Sequence, residues 1–196
     1  MHRRDPRARA EALAKLYGHA LCPVAALALA TGMRRGEICA LTWGAIDLTK
    51  GTVQVRASLE ETAAGLRVKA PKTRAGHRTI SLPKPAVEEL REHQRAQLEL
   101  WMRLGLGRPA DTDYVFPNPS DPQFGAWPPD KLSRDWGNVV RDRKLPRVMF
   151  HALRHSHASA LIAAGVDIVT VSRRLGHGSP AITLGVYAHL FNRPMP

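Results

Sequence analysis

Apolar residues recur at helical spacing along most of the chain, and one block of short β-branched segments interrupts them. The Ala- and Leu-rich stretch "EALAKLYGHALCPVAALALA" (11–30) predicts two helices, which Pro23 separates. A third helix is expected through "RRGEICALTW" (34–43), and a long fourth helix over "KPAVEELREHQRAQLELWMRLG" (84–105). The first half of the chain is therefore predicted to be largely helical.

The second half continues the helical pattern after a surface loop rich in Pro, Gly and Asp at 107–130. Further helices are expected at 129–144, 150–164 and 167–175. A last helix begins at Ser179, which can cap its first turn, with Pro180 at the first helical position.

The interrupting block contains three segments rich in β-branched residues: "GTVQVRASL" (51–59), "LRVKAPKT" (66–73) and "HRTISLP" (77–83). Gly65 and the tetrapeptide "RAGH" supply turns between them, so they predict a small three-stranded antiparallel sheet. The predicted fold class is thus α+β, a mostly helical single domain with one small sheet. Residues 1–10 are polar and basic and are expected to form a linker or a frayed start, which leaves 11–196 as the domain.

Composition is typical of one soluble globular domain, with 44% hydrophobic and 23% charged residues in a chain of 196. No apolar run reaches the length of a membrane span, and no signal-peptide core follows the basic N-terminus. We therefore expect a cytoplasmic protein without membrane contact. Cys22 and Cys39 are expected to be reduced core residues.

Charge narrows the class of partner, because Lys and Arg outnumber Asp and Glu by 29 to 17 and give a formal net charge of +12. A charge of this size and sign favours a polyanion, with nucleic acid first and an anionic membrane surface second. Arginine supplies most of the excess, and its planar guanidinium suits phosphate oxygens.

Arg34 stands out in "TGMRRGEICALTW" because a helix through it would put it on one face with Ile38 and Leu41. An arginine among apolar side chains needs an anionic partner, because an unpaired buried charge is strongly destabilising. A salt bridge to Glu37 would meet that need, and so would a bound phosphate.

Lys72 is expected at the turn between two predicted strands, in a basic hairpin. The basic residues around it are Arg67, Lys69, Arg74 and Arg78. A hairpin lysine is usually only solvated, whereas a basic hairpin can also reach the DNA backbone. We predict DNA contacts for these four neighbours.

The stretch "HALRHSHAS" (151–159) crowds three histidines and an arginine into nine positions. On a helix, His151, Arg154 and His155 share one face, while His157 turns to the apolar side and is expected to be a hydrogen-bonded core residue. Because the histidines do not converge and no acidic or cysteine residue lies on their face, no metal site is expected.

His177 and Tyr187 lie in the C-terminal motif "LGHGSPAITLGVYAHL". His177 stands in a glycine-flanked turn, which can present a side chain at fixed geometry. Tyr187 belongs to an apolar stripe with Leu184, Ala188 and Phe191, so it is either a core tyrosine or a site residue.

In this order and spacing, "TGMRRGEICALTW", "PKTRAGHRTISL", "HALRH" and "LGHGSPAITLGVYAHL" closely resemble the catalytic domain of the tyrosine recombinases, the phage integrase family. The resemblance covers residues 11–191. The catalytic residues that it implies are Arg34, Lys72, His151, Arg154 and His177, with Tyr187 as the nucleophile.

The same resemblance implies that Glu37 organises the site, and it assigns no catalytic position to Arg35. Beside this set we also predict a DNA contact for His155. The implied fold is that of the DNA breaking-rejoining enzymes.

The resemblance also implies an activity, namely site-specific DNA recombination in the integration or excision of a mobile element. Tyrosine cleavage of a strand gives a 3′-phosphotyrosine intermediate, and rejoining then needs neither metal nor ATP, so no cofactor is expected. The implied partner is double-stranded DNA with a specific recombination site, on which the protein is a homotetramer, whereas it is monomeric in isolation. An accessory directionality factor, a bacterial or phage origin and association with the nucleoid belong to the same expectation.

The chain departs from the family pattern because only residues 1–10 precede the predicted catalytic domain, where a core-binding domain is normal. We therefore expect an isolated catalytic domain, either a cloned fragment or the product of a truncated gene. Two alternatives stay open. One is a DNA-binding module without turnover, whose affinity would be weak and dominated by phosphate contacts; the other is a metal-dependent hydrolase built on the histidines.

Overall fold

The structure of the protein, a computed structural model, describes residues 14–71 and 74–191. The predicted linker at 1–10 and the hairpin lysine Lys72 lie outside the described residues. Helices make up most of the described chain, namely α1 Leu21–Thr31, α2 Arg35–Cys39, α3 Lys84–Arg103, α4 Pro129–Asp142, α5 His151–Ala163, α6 Ile168–Leu175 and α7 Pro180–Phe191. The fold class is α+β, as predicted.

Two small antiparallel sheets lie between α2 and α3. Their strands are β1 Ile46–Asp47, β2 Thr52–Val55, β3 Ser58–Thr62, β4 Gly65–Lys69 and β5 Arg78–Ser81. The first sheet has the order β1-β2-β5, and β3 pairs only with β4 in a separate hairpin.

The three-stranded sheet therefore exists, but its membership differs from the prediction. The predicted first strand is interrupted between Val55 and Ser58, and its second part forms β3. Gly65, with a φ of 109°, closes a tight turn that pairs β3 with the strand immediately after it. This local pairing takes the segment predicted at 66–73 out of the sheet, and β1 occupies the free edge of β2 instead.

The central helix α1 is apolar on all sides and packs against α3 and α5. Pro23 lies inside its first turn, where the missing N–H group would have no helical partner in any case. The predicted separation of two helices at Pro23 is thus wrong by a few residues, because α1 begins at Leu21. Cys22 and Cys39 are both buried in the surrounding core, as expected of core residues.

Helix α2 is shorter than predicted and begins one residue after Arg34, whose backbone is extended. The expectation that Arg34 shares the face of Ile38 and Leu41 is therefore wrong. Those two side chains are buried, whereas the Arg34 side chain is 41% exposed. Its position at the end of the helix, not on a helical face, determines where the guanidinium points.

The three C-terminal helices form a second, smaller core. Its members are Ala158, Ile162, Val171, Leu175 and Tyr187. Asp167 caps α6 by accepting hydrogen bonds from the N–H groups of Val169 and Thr170. Because α7 packs on both α5 and α6, this core fixes the position of Tyr187 against α5.

Substitution of Gly32 tests the close packing at the end of α1. Gly32 has a φ of 66°, and a Cβ built there would lie 2.7 Å from a ring carbon of His157. We expect Gly32→Ala to lower the free energy of unfolding by about 1–2 kcal/mol for the left-handed backbone. We expect about 1–3 kcal/mol more for overpacking against the histidine ring.

Gly165→Ala is the matched control, since Gly165 follows α5 with a φ of 80° and a Cβ there would meet nothing within 4 Å. This variant should show only the backbone cost. Urea unfolding measures both losses, and equal losses would contradict the packing described at Gly32.

Candidate active site

Two helices end at left-handed glycines and direct their last carbonyl groups at a pair of arginines. The glycines are Gly32 after α1 and Gly176 after α6, with φ values of 66° and 68°. Arg154 is only 5% exposed and donates from Nη1 to the Gly32 carbonyl at 2.6 Å and from Nη2 to the Leu175 carbonyl at 2.8 Å. Arg34 donates from Nη2 to the Gly176 carbonyl at 3.0 Å. The negative ends of two helix dipoles thus stabilise this arginine pair.

Glu37 is the buried carboxylate at the centre of the site. Its Oε1 accepts from Arg34 Nη1 at 2.9 Å, and its Oε2 accepts from the Arg34 backbone N–H at 2.8 Å. Arg78 donates to both oxygens, at 3.1 and 2.9 Å. The predicted Arg34–Glu37 salt bridge is confirmed. We refer to Arg34, Arg78 and Arg154 around Glu37 as the arginine cluster.

Arg78 occupies a different place from the exposed basic hairpin in which it was expected. Its side chain is 7% exposed, and its Nε donates to the Arg174 carbonyl at 2.8 Å. The guanidinium is therefore paired inside the protein, and the predicted DNA contact of Arg78 remains a prediction.

Positive charge exceeds negative charge in the arginine cluster, because three guanidinium groups share one carboxylate. Burial, and then the charge of Arg34, lower the pKa of Arg154 to about 10; Glu37 opposes them, and Arg78 adds to them. The Arg34 side chain remains partly exposed to solvent. Such an arrangement suits an anion that can reach Arg34 from solvent.

His177 lies beside the arginine cluster, in the turn between α6 and α7. Its Nδ1 is 2.7 Å from the Thr183 hydroxyl. Burial, and then the charges of Arg154 and Arg34, lower the pKa of His177 to about 4. The imidazole is therefore neutral at pH 7 and can act as a hydrogen-bond donor without adding charge.

Tyr187 is both a core residue and part of the site. Its side chain belongs to the second core and is 4% exposed, while its hydroxyl lies 2.7 Å from His155 Nδ1. Burial raises the pKa of Tyr187, and the charge of Arg154 opposes that rise. Leu184, predicted in the same apolar stripe, is instead exposed.

His151 packs against His155, the histidine that contacts Tyr187. The two imidazole rings meet edge-on at a centroid distance of 4.8 Å. Burial, and then the neighbouring His155 and Arg154, lower the pKa of His151 below its ordinary value. The structure thus brings eight predicted residues to one place: Arg34, Glu37, Arg78, His151, Arg154, His155, His177 and Tyr187.

His157 confirms the prediction of a hydrogen-bonded core histidine. Its Nδ1 is 2.8 Å from the Leu29 carbonyl, and its Nε2 accepts from Arg174 Nε at 3.0 Å. Arg174 also donates to the carbonyls of Ala30 and Ser81, so it joins α1, β5 and α6. Sequence reasoning missed Arg174, since nothing in "SRRL" separates it from the exposed Arg173 beside it.

The remaining predicted residues lie on the hairpin side. Arg67 is exposed on β4, and Lys69 forms an ion pair with Glu60 across the β3–β4 hairpin. Arg74 begins a 3₁₀ turn that ends at Gly76. Arg35, which matches no catalytic position, points toward α4. There it pairs with Asp130 at 2.8 Å and donates to Ser133 at 2.7 Å.

The described part of the chain contains neither a group of metal ligands nor a membrane-spanning helix. Among residues 14–71 and 74–191, no three His, Cys, Asp or Glu side chains are grouped so that they could hold a metal ion. The helices of this described part include none long and apolar enough to cross a membrane.

Comparison with known proteins gives a family match over nearly the whole chain. The sequence profile described as "Phage integrase family" matches residues 9–193. The ICEBs1 integrase of Bacillus subtilis is 35% identical over 165 residues, which cover 84% of this chain and 44% of that protein. A XerC-like tyrosine recombinase of Caldanaerobacter subterraneus is 31% identical over 186 residues, which cover 89% of this chain and 47% of that protein. The chain therefore spans about half the length of these relatives.

Solved structures share the fold. The Tn1549 transposon integrase in complex with a circular intermediate DNA superposes with a TM-score of 0.78 at 21% identity. The match covers 94% of this chain and 60% of that one. The XerA recombinase gives a TM-score of 0.68 at 20% identity, and the match covers 98% of this chain and 65% of the recombinase chain. At these identities the likeness concerns the fold alone.

Glu37→Gln removes the central negative charge while keeping the shape of the side chain. Burial alone would raise the pKa of Glu37, but hydrogen bonds and charge from Arg78, followed by Arg34, outweigh it and hold the pKa below 4.5. A carboxyl group with a lowered pKa in the folded state adds stability above pH 4.5, and this contribution is lost as the pH falls through the folded-state pKa. We expect the variant to be less stable by about 3 kcal/mol at pH 7.

The stability gap between Glu37→Gln and the wild type should close as the pH falls below 4.5. Urea unfolding at a series of pH values measures it. Glu88→Gln, an exposed position on α3, is the control and should stay within about 0.5 kcal/mol of the wild type throughout. A gap independent of pH would show that Glu37 is not the ionised partner of the arginines.

Proposed function

The chain belongs to the phage integrase family, and from this premise we propose that it cleaves and rejoins DNA strands at a specific recombination site. Tyr187 is the nucleophile of this reaction. The observation that carries the proposal is the proximity of a buried tyrosine hydroxyl to the arginine cluster, which has more positive than negative charge. A phosphodiester under attack by tyrosine gains negative charge on its non-bridging oxygens, and such a site favours that charge.

Arg34 and Arg154 are the cations that hold the phosphate. Each guanidinium carries five N–H groups. Arg154 donates to two carbonyl groups, and Arg34 donates to one carbonyl group and Glu37. Each arginine is thus fixed in orientation and keeps further N–H groups for phosphate oxygens. Because these groups are already aligned, little reorganisation is needed when charge develops in the transition state.

His177 and His151 assist the arginines as neutral groups. The Thr183 hydroxyl can donate to Nδ1 of His177, which leaves the hydrogen of the imidazole on Nε2. That N–H group donates to a phosphate oxygen without adding to the repulsion among the arginines. His151, at the first position of α5, is the second histidine of the site whose pKa is lowered by burial and by neighbouring charges.

Lys72 completes the reaction by protonating the departing 5′-oxygen of the DNA, a role that rests on the family resemblance. Attack by the Tyr187 oxygen forms the bond to phosphorus as the bond to the 5′-oxygen breaks. The product is a 3′-phosphotyrosine link and a free 5′-hydroxyl. A 5′-hydroxyl from a second strand then attacks the phosphotyrosine, so the phosphodiester is restored without ATP or a metal ion.

The biological task that we propose is the integration or excision of a mobile element. Two of the similar proteins support it by name, namely the ICEBs1 integrase and the transposase from transposon Tn916. The proposed partner is double-stranded DNA carrying a specific site, on which the protein assembles as a homotetramer from monomers. The net charge of +12 supports DNA as the partner, whether the protein cleaves the DNA or only binds it.

Tyr187→Phe separates an enzyme from a DNA-binding module. The full chain is incubated in EDTA with a pool of nicked duplexes of randomised sequence around the nick, and covalent adducts are read on a denaturing gel. We expect an adduct with the wild type and none with the variant, because phenylalanine has no attacking oxygen. Sequencing the trapped duplexes gives one preferred substrate for rate measurements.

Tyr17→Phe is the control for this substitution, since Tyr17 is 77% exposed and lies outside the site, and it should form the adduct at the wild-type rate. Binding of duplexes without any adduct would favour the module that does not turn over. Loss of activity in EDTA would instead favour the metal-dependent hydrolase.

The neighbouring residues Arg34 and Arg35 allow a matched test of the phosphate clamp. Arg34→Ala should slow adduct formation by about 10²- to 10³-fold, the usual cost of losing one preorganised donor to a transition state. Arg35→Ala should stay within a few-fold of the wild type, because that guanidinium pairs with Asp130 and Ser133. Rates are compared on the selected duplex, with melting temperatures to confirm that both variants fold; equal losses would contradict the assignment.

A further inference from the structure

His155 makes a contact that neither the family resemblance nor the predicted DNA-binding role explains. Its Nδ1 lies 2.7 Å from the Tyr187 hydroxyl oxygen, and the two ring centroids are 5.6 Å apart. The resemblance gives the catalytic histidine positions to His151 and His177. His155 is the residue directly after Arg154 on α5, where sequence reasoning expected a DNA contact.

We propose that His155 is the general base that takes the proton of the Tyr187 hydroxyl during strand cleavage, an inference that rests on the proposed function. The hydroxyl donates to Nδ1 when the imidazole carries its hydrogen on Nε2. As the bond from the Tyr187 oxygen to phosphorus forms, the O–H bond breaks and its proton passes to Nδ1. The bond from phosphorus to the 5′-oxygen breaks in the same step, and that oxygen takes its proton separately.

The two partners are held by rigid elements, which a proton transfer of this kind requires. His155 lies in the middle of α5, and Tyr187 is fixed in the core between α5, α6 and α7. The His155 side chain is otherwise exposed, so solvent can stabilise the imidazolium that forms when Nδ1 takes up the proton.

The other histidines of the site are placed for different tasks. His177 Nδ1 is bonded to Thr183, and His151 meets the ring of His155 rather than the tyrosine. Within the described ranges, only His155 has a histidine nitrogen at hydrogen-bond distance from the Tyr187 oxygen. His155 therefore touches the reacting atom, whereas the other two touch groups around it.

The charges that face His155 favour its neutral, accepting form. Arg154 lies beside it on α5, His151 lies one turn earlier, His177 faces it from the turn after α6, and Tyr187 faces it from α7. Burial, and then the charge of Arg154, lower the pKa of His155 below 6.5. Transfer from a phenol to such a base becomes favourable only as the bond to phosphorus forms, because the oxygen of an aryl phosphate is far less basic than a phenolate. The same imidazolium can return the proton when a strand is rejoined.

The test compares rates of adduct formation against pH for the wild type, His155→Ala and the control His77→Ala on the selected nicked duplex. His77 is exposed and lies outside the site. The wild-type rate should fall as the pH drops through the pKa of His155, because the protonated ring cannot accept a proton. His155→Ala should be slower by about 100-fold at pH 7, the usual worth of a general base. Its rate should rise with pH over the whole range, because only spontaneous ionisation of Tyr187 then supplies the nucleophile.

Two further measurements separate proton transfer from positioning. His155→Asn keeps a hydrogen-bonding side chain without a basic nitrogen, so it should be as slow as the alanine variant. Added imidazoles should restore the rate of His155→Ala, and the restored rate should increase with the pKa of the imidazole used.

A wild-type rate and pH profile in His155→Asn, or an alanine variant with unchanged pH dependence, would overturn the role of His155 and leave the proposed function standing. The absence of a Tyr187-dependent adduct in the wild type would overturn the proposed function, and the role of His155 with it. If the alanine variant does not fold, the asparagine variant decides alone.

Discussion

Three guanidinium groups of like charge lie around a single buried carboxylate, and the local structure of the site serves to keep them there. Arg34, Arg78 and Arg154 would repel one another and lose their hydration if Glu37 were their only compensation. Carbonyl groups at the ends of α1 and α6 supply the rest. A bound phosphate would supply the missing negative charge, so relief of the repulsion among the arginines would strengthen its binding.

Several features that seem unrelated in the sequence follow from this arrangement. The two helices must end abruptly for their last carbonyls to face the arginines, which requires a left-handed residue at Gly32 and Gly176. Helix α2 must begin after Arg34, so that the side chain leaves from the helix end and reaches Glu37 one turn later. The apolar packing of α5 places Arg154 inside the protein. Without the carbonyl groups of Gly32 and Leu175, its charge would have no hydrogen-bond partner there.

The sequence predicted the helices, and the grouping of the candidate site residues, better than it predicted their surroundings. Helical periodicity is local, so the C-terminal helices were predicted nearly to their observed ends, and the split of "HALRHSHAS" correctly gave His157 to the core. The position of Arg34, the burial of Arg78 and the role of Arg174 were not predictable, because each depends on partners far away in the chain. Strand pairing failed for a similar reason, since the choice between β1 and β4 as the third strand depends on turns and packing rather than on composition.

The hydrogen bonds of Arg34 and Arg154 also connect residues that lie far apart in the sequence. Arg34 reaches a carbonyl 142 residues later, and Arg154 reaches one 122 residues earlier. Contacts between such distant residues form only after most of the chain is available. During synthesis, a growing polypeptide that has not yet released α6 from the ribosome has no assembled pair of arginines. A chain that is still being translated, or that is cut short before Leu175, therefore lacks the carbonyl groups that hold Arg34 and Arg154 side by side.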